Sequence, residues 1–180
     1  MIATDYTGRL GNQLFTYAFT RIMMEKQKDK QLIANFKRSE TGDAKDGYED
    51  ALQYFNVQPY SKDAEDLVLK HGSMLQRMFY LFYVLCTRIP VIGRNDYIMI
   101  HIDRLARILG LLFSGAADKA WPQQTIRKKN VFVRGYFADK DFFDDIRPIL
   151  LKELTPKEAP LKNNRILYEA ASLRNSVCIS

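Results

Sequence analysis

The sequence has few of the residues that bind transition metals or form disulfides. Its 180 residues include two cysteines, Cys86 and Cys178, and two histidines, His71 and His101. Neither cysteine belongs to a CxxC pair, which argues against a structural zinc site. Both cysteines lie in apolar runs, so we expect them to be buried as small hydrophobic residues. This cysteine usage fits a reducing compartment.

Long hydrophobic runs are also missing. The longest uncharged apolar stretches, Met78 to Thr87 and Ile108 to Ala117, are far shorter than the roughly 20 residues that a membrane-spanning helix needs. Asp5 and Arg9 interrupt the apolar start that a signal peptide requires. We therefore expect a cytoplasmic chain. The aromatic run Met78 to Tyr83 favours core packing, and peripheral contact with a membrane surface or a lipid acceptor is left open.

The composition is that of a folded protein with a basic surface. Hydrophobic residues make up 47% of the chain and aromatic residues 12%, which suits one compact domain or a domain with a short lobe. The net charge of +6 favours an anionic partner, such as a nucleotide diphosphate. Because the cations are scattered, with Arg127 to Lys129 as the densest cluster, and no nucleic-acid-binding module is recognisable, we expect no nucleic-acid partner.

Strands and helices alternate along the chain. Apolar runs predict strands near 1–7, 31–36 and 131–136, and together with the helices between them they indicate an α/β domain with a largely parallel sheet. Residues 60–125 are expected to form a mainly helical insertion. The predicted helices are 13–28, with Asn12 as its cap, then 73–87, 98–113, and 140–153, with Asp139 as its cap and a kink or break at Pro148.

The last part of the sequence suggests a domain boundary. Residues 155–163 have the composition of a linker, 164–173 are expected to be helical, and 176–180 begin a further strand. We interpret 1–175 as the α/β domain and 176–180 as the first strand of a truncated C-terminal domain.

The segment Gly8-Arg9-Leu10-Gly11-Asn12-Gln13 is the best candidate for a binding site. It joins a strand to a helix, and its glycines allow a tight turn and the close approach of a ligand. The N–H groups and positive dipole end of the following helix favour an anion. Arg9 adds a positive charge, and the amides of Asn12 and Gln13 can bond hydroxyl or phosphate oxygens.

A structural glycine turn is the alternative interpretation of the same segment. It is neither a Walker A loop, since no Gly-Lys-Ser/Thr follows, nor a dinucleotide-binding GxGxxG. Asp5 precedes the turn at the end of the first predicted strand, where α/β active sites gather. It is the one candidate for a catalytic residue, and a structural pair with Arg9 is the alternative.

The run GRLGNQLFTYA resembles the N-terminal signature of α-1,2-fucosyltransferases, the glycosyltransferase family 11. A second segment, Gly135-Tyr136-Phe137 followed by Phe142-Phe143 and Ile146-Arg147, is similar to that family's GYFQS-x-x-YF-x-x-IR segment. Here Ala138 and Asp139 replace the usual Gln-Ser pair, so contacts made by that pair are not expected. Residues 175–177 resemble the stretch that leads into the family's His-x-Arg-Arg-Gly-Asp block, and the chain stops at Ser180, where that histidine is expected.

The resemblance implies a Rossmann-like N-terminal domain of a GT-B-type enzyme whose C-terminal donor-binding domain is missing. It implies transfer of L-fucose from GDP-fucose to the 2-hydroxyl of a galactoside glycan or glycolipid, with inversion and without a metal ion or other cofactor. Donor contacts fall on Gly8, Arg9, Gly11, Asn12 and Gln13, and the chain alone is expected to be weakly active or inactive.

Two other classes of function stay open. One is a different nucleotide-binding α/β enzyme that shares only the glycine turn. The other is a non-catalytic partner domain, which the expected truncation would favour.

Overall fold

The structure, a computed structural model, describes residues 1–28, 31–39, 49–113, 128–137 and 143–157. Within them, five parallel strands form one sheet, and helices pack around it in a Rossmann-like α/β fold. Strands β1 to β5 span Ile2–Asp5, Leu32–Asn35, Tyr60–Lys62, Leu111–Phe113 and Val131–Arg134. Helices α1 to α6 span Leu10–Gln27, Leu67–His71, Met74–Arg88, Pro90–Gly93, Asp96–Ile108 and Arg147–Glu153. Short 3-10 helices occupy Ala51–Tyr54 and Asp144–Ile146.

The sheet has the strand order β3-β2-β1-β5-β4, and every pair is parallel. Strand β1 lies at the centre, where Asp5 is the register partner of Asn35 on β2 and of Arg134 on β5. From β1 the chain builds outward through β2 to β3, then crosses to the far edge for β4 and returns to β5. The carboxyl ends of β1 and β5 therefore mark the position where the strand order reverses.

The sheet is covered on both faces, which explains why β1 and β2 are buried along their whole length. Helices α1 and α6 pack on one face through a cluster that includes Tyr17, Phe19 and Leu150. Helices α2, α3 and α5 cover the other face through Leu67, Tyr80 and Ala106 among others. The predicted strands near 1–7, 31–36 and 131–136 are confirmed with shorter bounds.

Helix α1 begins earlier than the sequence indicated. Arg9 is its N-cap residue and Leu10 its first residue, so Asn12 lies in the first turn and is not the predicted cap. The helix ends at Gln27, and its C-cap Lys28 has a left-handed backbone (φ 54°) that directs its amide to the carbonyls of Met24 and Glu25.

Residues 60–125 contribute more than helices. The predicted helices 73–87 and 98–113 appear as α3 and α5, but α5 ends at Ile108 and Leu111–Phe113 form strand β4. Gly110 separates the two with a φ of +79°, a conformation that L side chains rarely adopt. Because β3 lies in the same stretch, this part of the chain supplies both edge strands of the sheet.

A buried ion pair joins α1 to α6. Arg21 Nε lies 2.9 Å from a carboxylate oxygen of Glu153, which also accepts a hydrogen bond from the Tyr17 hydroxyl at 2.6 Å. Of the predicted helix 140–153, the described part is α-helical only from Arg147 and follows the 3-10 helix Asp144–Ile146, so the predicted break lies at the start of α6. Pro148 lies in the first turn of α6, where no intrahelical donor is lost.

Several predictions concern residues outside the described ranges. They include the cap at Asp139, the helix 164–173, the strand 176–180 and the environment of Cys178. Cys86 is described, and it is a buried free thiol as predicted. No helix in the described parts is long and apolar enough to cross a membrane.

Candidate functional site

The candidate site lies at the carboxyl edge of the sheet, beside the ends of β1 and β5. Open α/β sheets bind ligands in the crevice outside the carboxyl ends of their strands, where the strand order reverses. Here the turn 6–9 follows β1, and Gly135 with Tyr136 follows β5. These neighbouring segments define the site.

The glycine turn leads directly into an N-terminus of α1 that carries no side-chain cap. Gly8 has a φ of +74°, and the Arg9 side chain makes no capping hydrogen bond. The amide of Gln13 bonds the Arg9 carbonyl at 3.2 Å. The amides of Leu10, Gly11 and Asn12 lie before it in the first turn of the helix. Those amides and the helix dipole together favour an anion at this point.

Gln13 has a structural role that the sequence did not reveal. Its side chain is fully buried, and its Nε2 donates to the carbonyls of Gly8 at 3.0 Å and Glu49 at 2.6 Å. Its Oε1 accepts from the Ala51 amide at 3.0 Å. The amide predicted to contact a donor thus links the glycine turn to the segment before the first 3-10 helix.

Replacing Gln13 with leucine is expected to lower the free energy of unfolding by about 1–3 kcal/mol, because it leaves the buried Ala51 amide and two part-buried carbonyls without their partner. Urea denaturation measures this change. Gln53→Leu is the control, because it alters an exposed glutamine and should change the stability little. An unchanged stability in Gln13→Leu would contradict the structural role.

The two glycines of the turn are expected to respond oppositely to alanine. A Cβ on Gly8 would lie 2.5 Å from Asn12 Nδ2 in a left-handed backbone, whereas a Cβ on Gly11 would meet nothing within 4 Å. Gly8→Ala should therefore destabilise the protein by about 1–2 kcal/mol. Gly11→Ala, inside α1, should stabilise it by about 0.5–1 kcal/mol. Thermal or urea unfolding of the two variants checks both signs, and equal effects would contradict the turn geometry.

A charged cluster lies beneath this edge. Arg134 Nε donates to Asp5 Oδ2, so the partner of Asp5 is Arg134 and the predicted pair with Arg9 is wrong. Arg134 also contacts Asp66 Oδ2 at 3.2 Å and the Tyr80 hydroxyl at 2.6 Å. Tyr80 in turn donates to the same Asp66 oxygen at 2.6 Å. One guanidinium therefore joins β1, β5, α3 and the start of α2.

The two carboxylates of the cluster have pKa values shifted in opposite directions. Burial raises the pKa of Asp5 above its ordinary value, although the charge of Arg134 opposes the shift. Burial also acts to raise the pKa of Asp66, but hydrogen bonds from Tyr80 and the Leu69 amide, with the charge of Arg134, bring it below the ordinary value. Asp5 thus titrates at higher pH than Asp66.

Further positive charge lies near the same edge. Arg9 and Arg38 are exposed, and Arg38 follows β2 closely enough for its charge to lower the pKa of Asp5. Arg38 was not predicted as a site residue. The signal for it was present, because Lys37 and Arg38 directly follow the second apolar strand, whose carboxyl end had to lie at this edge.

The two segments that carry the family resemblance pack against each other. Thr16 of α1 donates a hydrogen bond to the Gly135 carbonyl at 3.2 Å. The rings of Phe19 and Phe137 stack with their centroids 3.9 Å apart. The glycine turn and the Gly135-Tyr136-Phe137 segment thus form one continuous part of the structure, although 119 residues separate Thr16 from Gly135 in the sequence.

Among the described residues, no group of three or more His, Cys, Asp or Glu side chains is arranged to hold a metal ion.

In comparisons with known proteins, no family model, no curated protein and no solved structure matched this chain. The function of the chain must therefore be inferred from its own residues and their geometry.

Proposed function

We propose that this chain is the N-terminal α/β part of a GT-B-type glycosyltransferase that transfers L-fucose from GDP-fucose to the 2-hydroxyl of a galactoside. One observation carries the proposal. The two segments that resemble α-1,2-fucosyltransferases, GRLGNQ and Gly135-Tyr136-Phe137, lie beside each other at the carboxyl edge of the sheet. If the chain shared only the glycine turn with that family, the second segment would have no reason to lie beside the turn.

The chemistry of this edge suits a diphosphate leaving group. In an inverting transfer the acceptor oxygen attacks the anomeric carbon of fucose, the bond to the diphosphate oxygen breaks, and the acceptor proton passes to a base. Negative charge then grows on the departing GDP. Arg9, Arg38 and the first amides of α1 supply donors and positive charge on the side where that anion would bind.

Asn12 is suited to contact the donor. Its side chain is exposed, and it lies against the glycine turn. It makes no side-chain hydrogen bond to another described residue, so its amide is available for a phosphate or sugar oxygen. Gln13 supports the site indirectly, by holding the turn.

Asp5 is better suited to positioning than to proton transfer. Its side chain is 6% exposed, and its carboxylate is paired with Arg134. A general base must reach the acceptor hydroxyl directly or through one water. We therefore propose that Asp5 orients Arg134 at the end of β5, and we assign the base to no residue of this edge.

The proposal is tested by titrating the ¹⁵N-labelled chain with GDP-fucose, GDP, ADP and inorganic pyrophosphate, and following the backbone amides by NMR. We expect GDP-fucose to shift the resonances of Gly8 to Asn12 and of Gly135, and GDP to do so more strongly than ADP. A parallel assay measures GDP release in the presence of a β-galactoside, where we expect little or no turnover by this chain alone.

Each outcome separates the proposal from its alternatives. Equal shifts from GDP, ADP and pyrophosphate would indicate a general anion site and favour a different nucleotide-binding enzyme. Shifts confined to other parts of the sheet would contradict the assigned site. If the amide resonances of the glycine turn do not shift at saturating GDP-fucose, the proposal is overturned altogether.

A further inference from the structure

Helix α3 is apolar on the side that faces solvent as well as on the side that faces the core. Its inner side buries Gln76, Tyr80 and Cys86. Its outer side carries large hydrophobic residues that are between 49% and 79% exposed, which we call the outer face: Met74, Leu75, Met78, Leu81, Phe82 and Leu85. At helical spacing these side chains form one stripe about 17 Å long.

The apolar surface continues past the end of α3. Ile89 is 38% exposed and Val91, on α4, is 80% exposed. Single exposed hydrophobic residues are common, but a contiguous stripe of this length marks a surface that meets another apolar phase.

The helices that carry the outer face bring positive charge and no carboxylate of their own. Between Leu67 and Asn95 the sequence contains no Asp or Glu. Arg77 and Arg88 lie along one border of the face, and Arg94 follows α4. The Arg77 guanidinium bonds the neutral carbonyls of Gly72 and Lys70, so its charge is not compensated there.

We propose that the outer face docks on the surface of an anionic lipid membrane, with α3 lying parallel to the surface. An apolar face inserts into the boundary of the acyl chains, and arginines beside it contact acidic headgroups. This combination is poorly matched to a second copy of the chain. A twofold-related contact would pair α3 and α4 with their own copies, which carry arginines and no carboxylate to meet them.

Sedimentation of the 180-residue chain with vesicles tests the proposal, independently of any transferase activity. We expect binding to phosphatidylcholine vesicles that contain phosphatidylglycerol, at least about tenfold tighter than to phosphatidylcholine alone, and weakened by salt. The variant Leu81→Ala/Leu85→Ala should bind more than about tenfold more weakly. Arg88→Gln should bind about fivefold more weakly.

The matched control is Leu151→Ala, which removes a leucine that is 64% exposed on α6, on the opposite face of the sheet. It should bind vesicles like the parent protein. Circular dichroism confirms that each variant is folded, and alanine preserves the helix. Equal binding by Leu151→Ala and the Leu81/Leu85 double variant, or no binding to either vesicle, overturns the proposal. A dimer that Leu81→Ala/Leu85→Ala dissociates, without vesicle binding, overturns it in favour of self-association.

Discussion

Replacing Arg134 with methionine is expected to lower the free energy of unfolding by about 3–5 kcal/mol at neutral pH. The guanidinium is 16% exposed and is paired with Asp5, which is 6% exposed, and with the partly buried Asp66. Methionine keeps the apolar part of the side chain but leaves the Asp5 carboxylate buried without its cation. Urea denaturation measures the loss. Arg147→Met, at an exposed arginine of α6, is the control and should change stability by less than about 0.5 kcal/mol.

The loss should be smaller at mildly acidic pH. Burial raises the pKa of Asp5, and Arg134 is the main group that opposes this shift. Without Arg134 the pKa of Asp5 rises further, so the folded variant binds a proton more tightly than the unfolded chain does. The stability of the variant relative to the parent then increases as the pH falls through that raised pKa. A loss that does not depend on pH would contradict the pairing.

A double-mutant cycle isolates the Asp5–Arg134 pair. Asp5→Asn/Arg134→Met should be less destabilised than the sum of the single changes by about 0.5–3 kcal/mol, because the second change removes the charge that the first leaves unpaired. Strict additivity would show that the two side chains do not interact.

The core of the fold could be predicted from the sequence because its signals are local. The apolar run before Gly8 and the periodic stripe after it specify β1 and α1, and Val131 to Val133 specify β5. The edge strands were missed for a physical reason. Tyr60–Lys62 is short and polar. Leu111–Phe113 continues the apolar pattern of α5 in the sequence, although Gly110 separates the helix from the strand.

The charged cluster could not be predicted from local patterns. Asp5 and Arg134 are 129 residues apart, and they meet only because β1 and β5 pair in a register that sets them opposite each other. A charged residue at the end of an otherwise apolar strand was the one available signal. The role of Gln13 also depends on tertiary structure, since two of its partners come from residues 49 and 51.

In an enzyme that also contains the C-terminal donor-binding domain, replacing Arg9 or Asn12 with alanine is expected to weaken donor binding or transfer by about tenfold to a hundredfold, with little change in melting temperature. This prediction rests on the proposed function. Loss of a charge-assisted hydrogen bond costs roughly 1.5–3 kcal/mol, which corresponds to that range in rate or affinity. Stability should be nearly unaffected, because both side chains are exposed and Arg9 does not cap α1.

The conservative variant Arg9→Lys should recover little of the lost binding, because an ammonium group cannot reproduce the fork of donors that a guanidinium presents to a phosphate. Lys152→Ala, at an exposed cation on α6, controls for the change in net charge and should bind donor like the parent protein. GDP-fucose titrations and thermal melts on these variants separate a ligand-binding turn from a purely structural one. A structural turn would give lower melting temperatures with donor binding intact, and normal donor binding by folded Asn12→Ala would remove Asn12 from the proposed site.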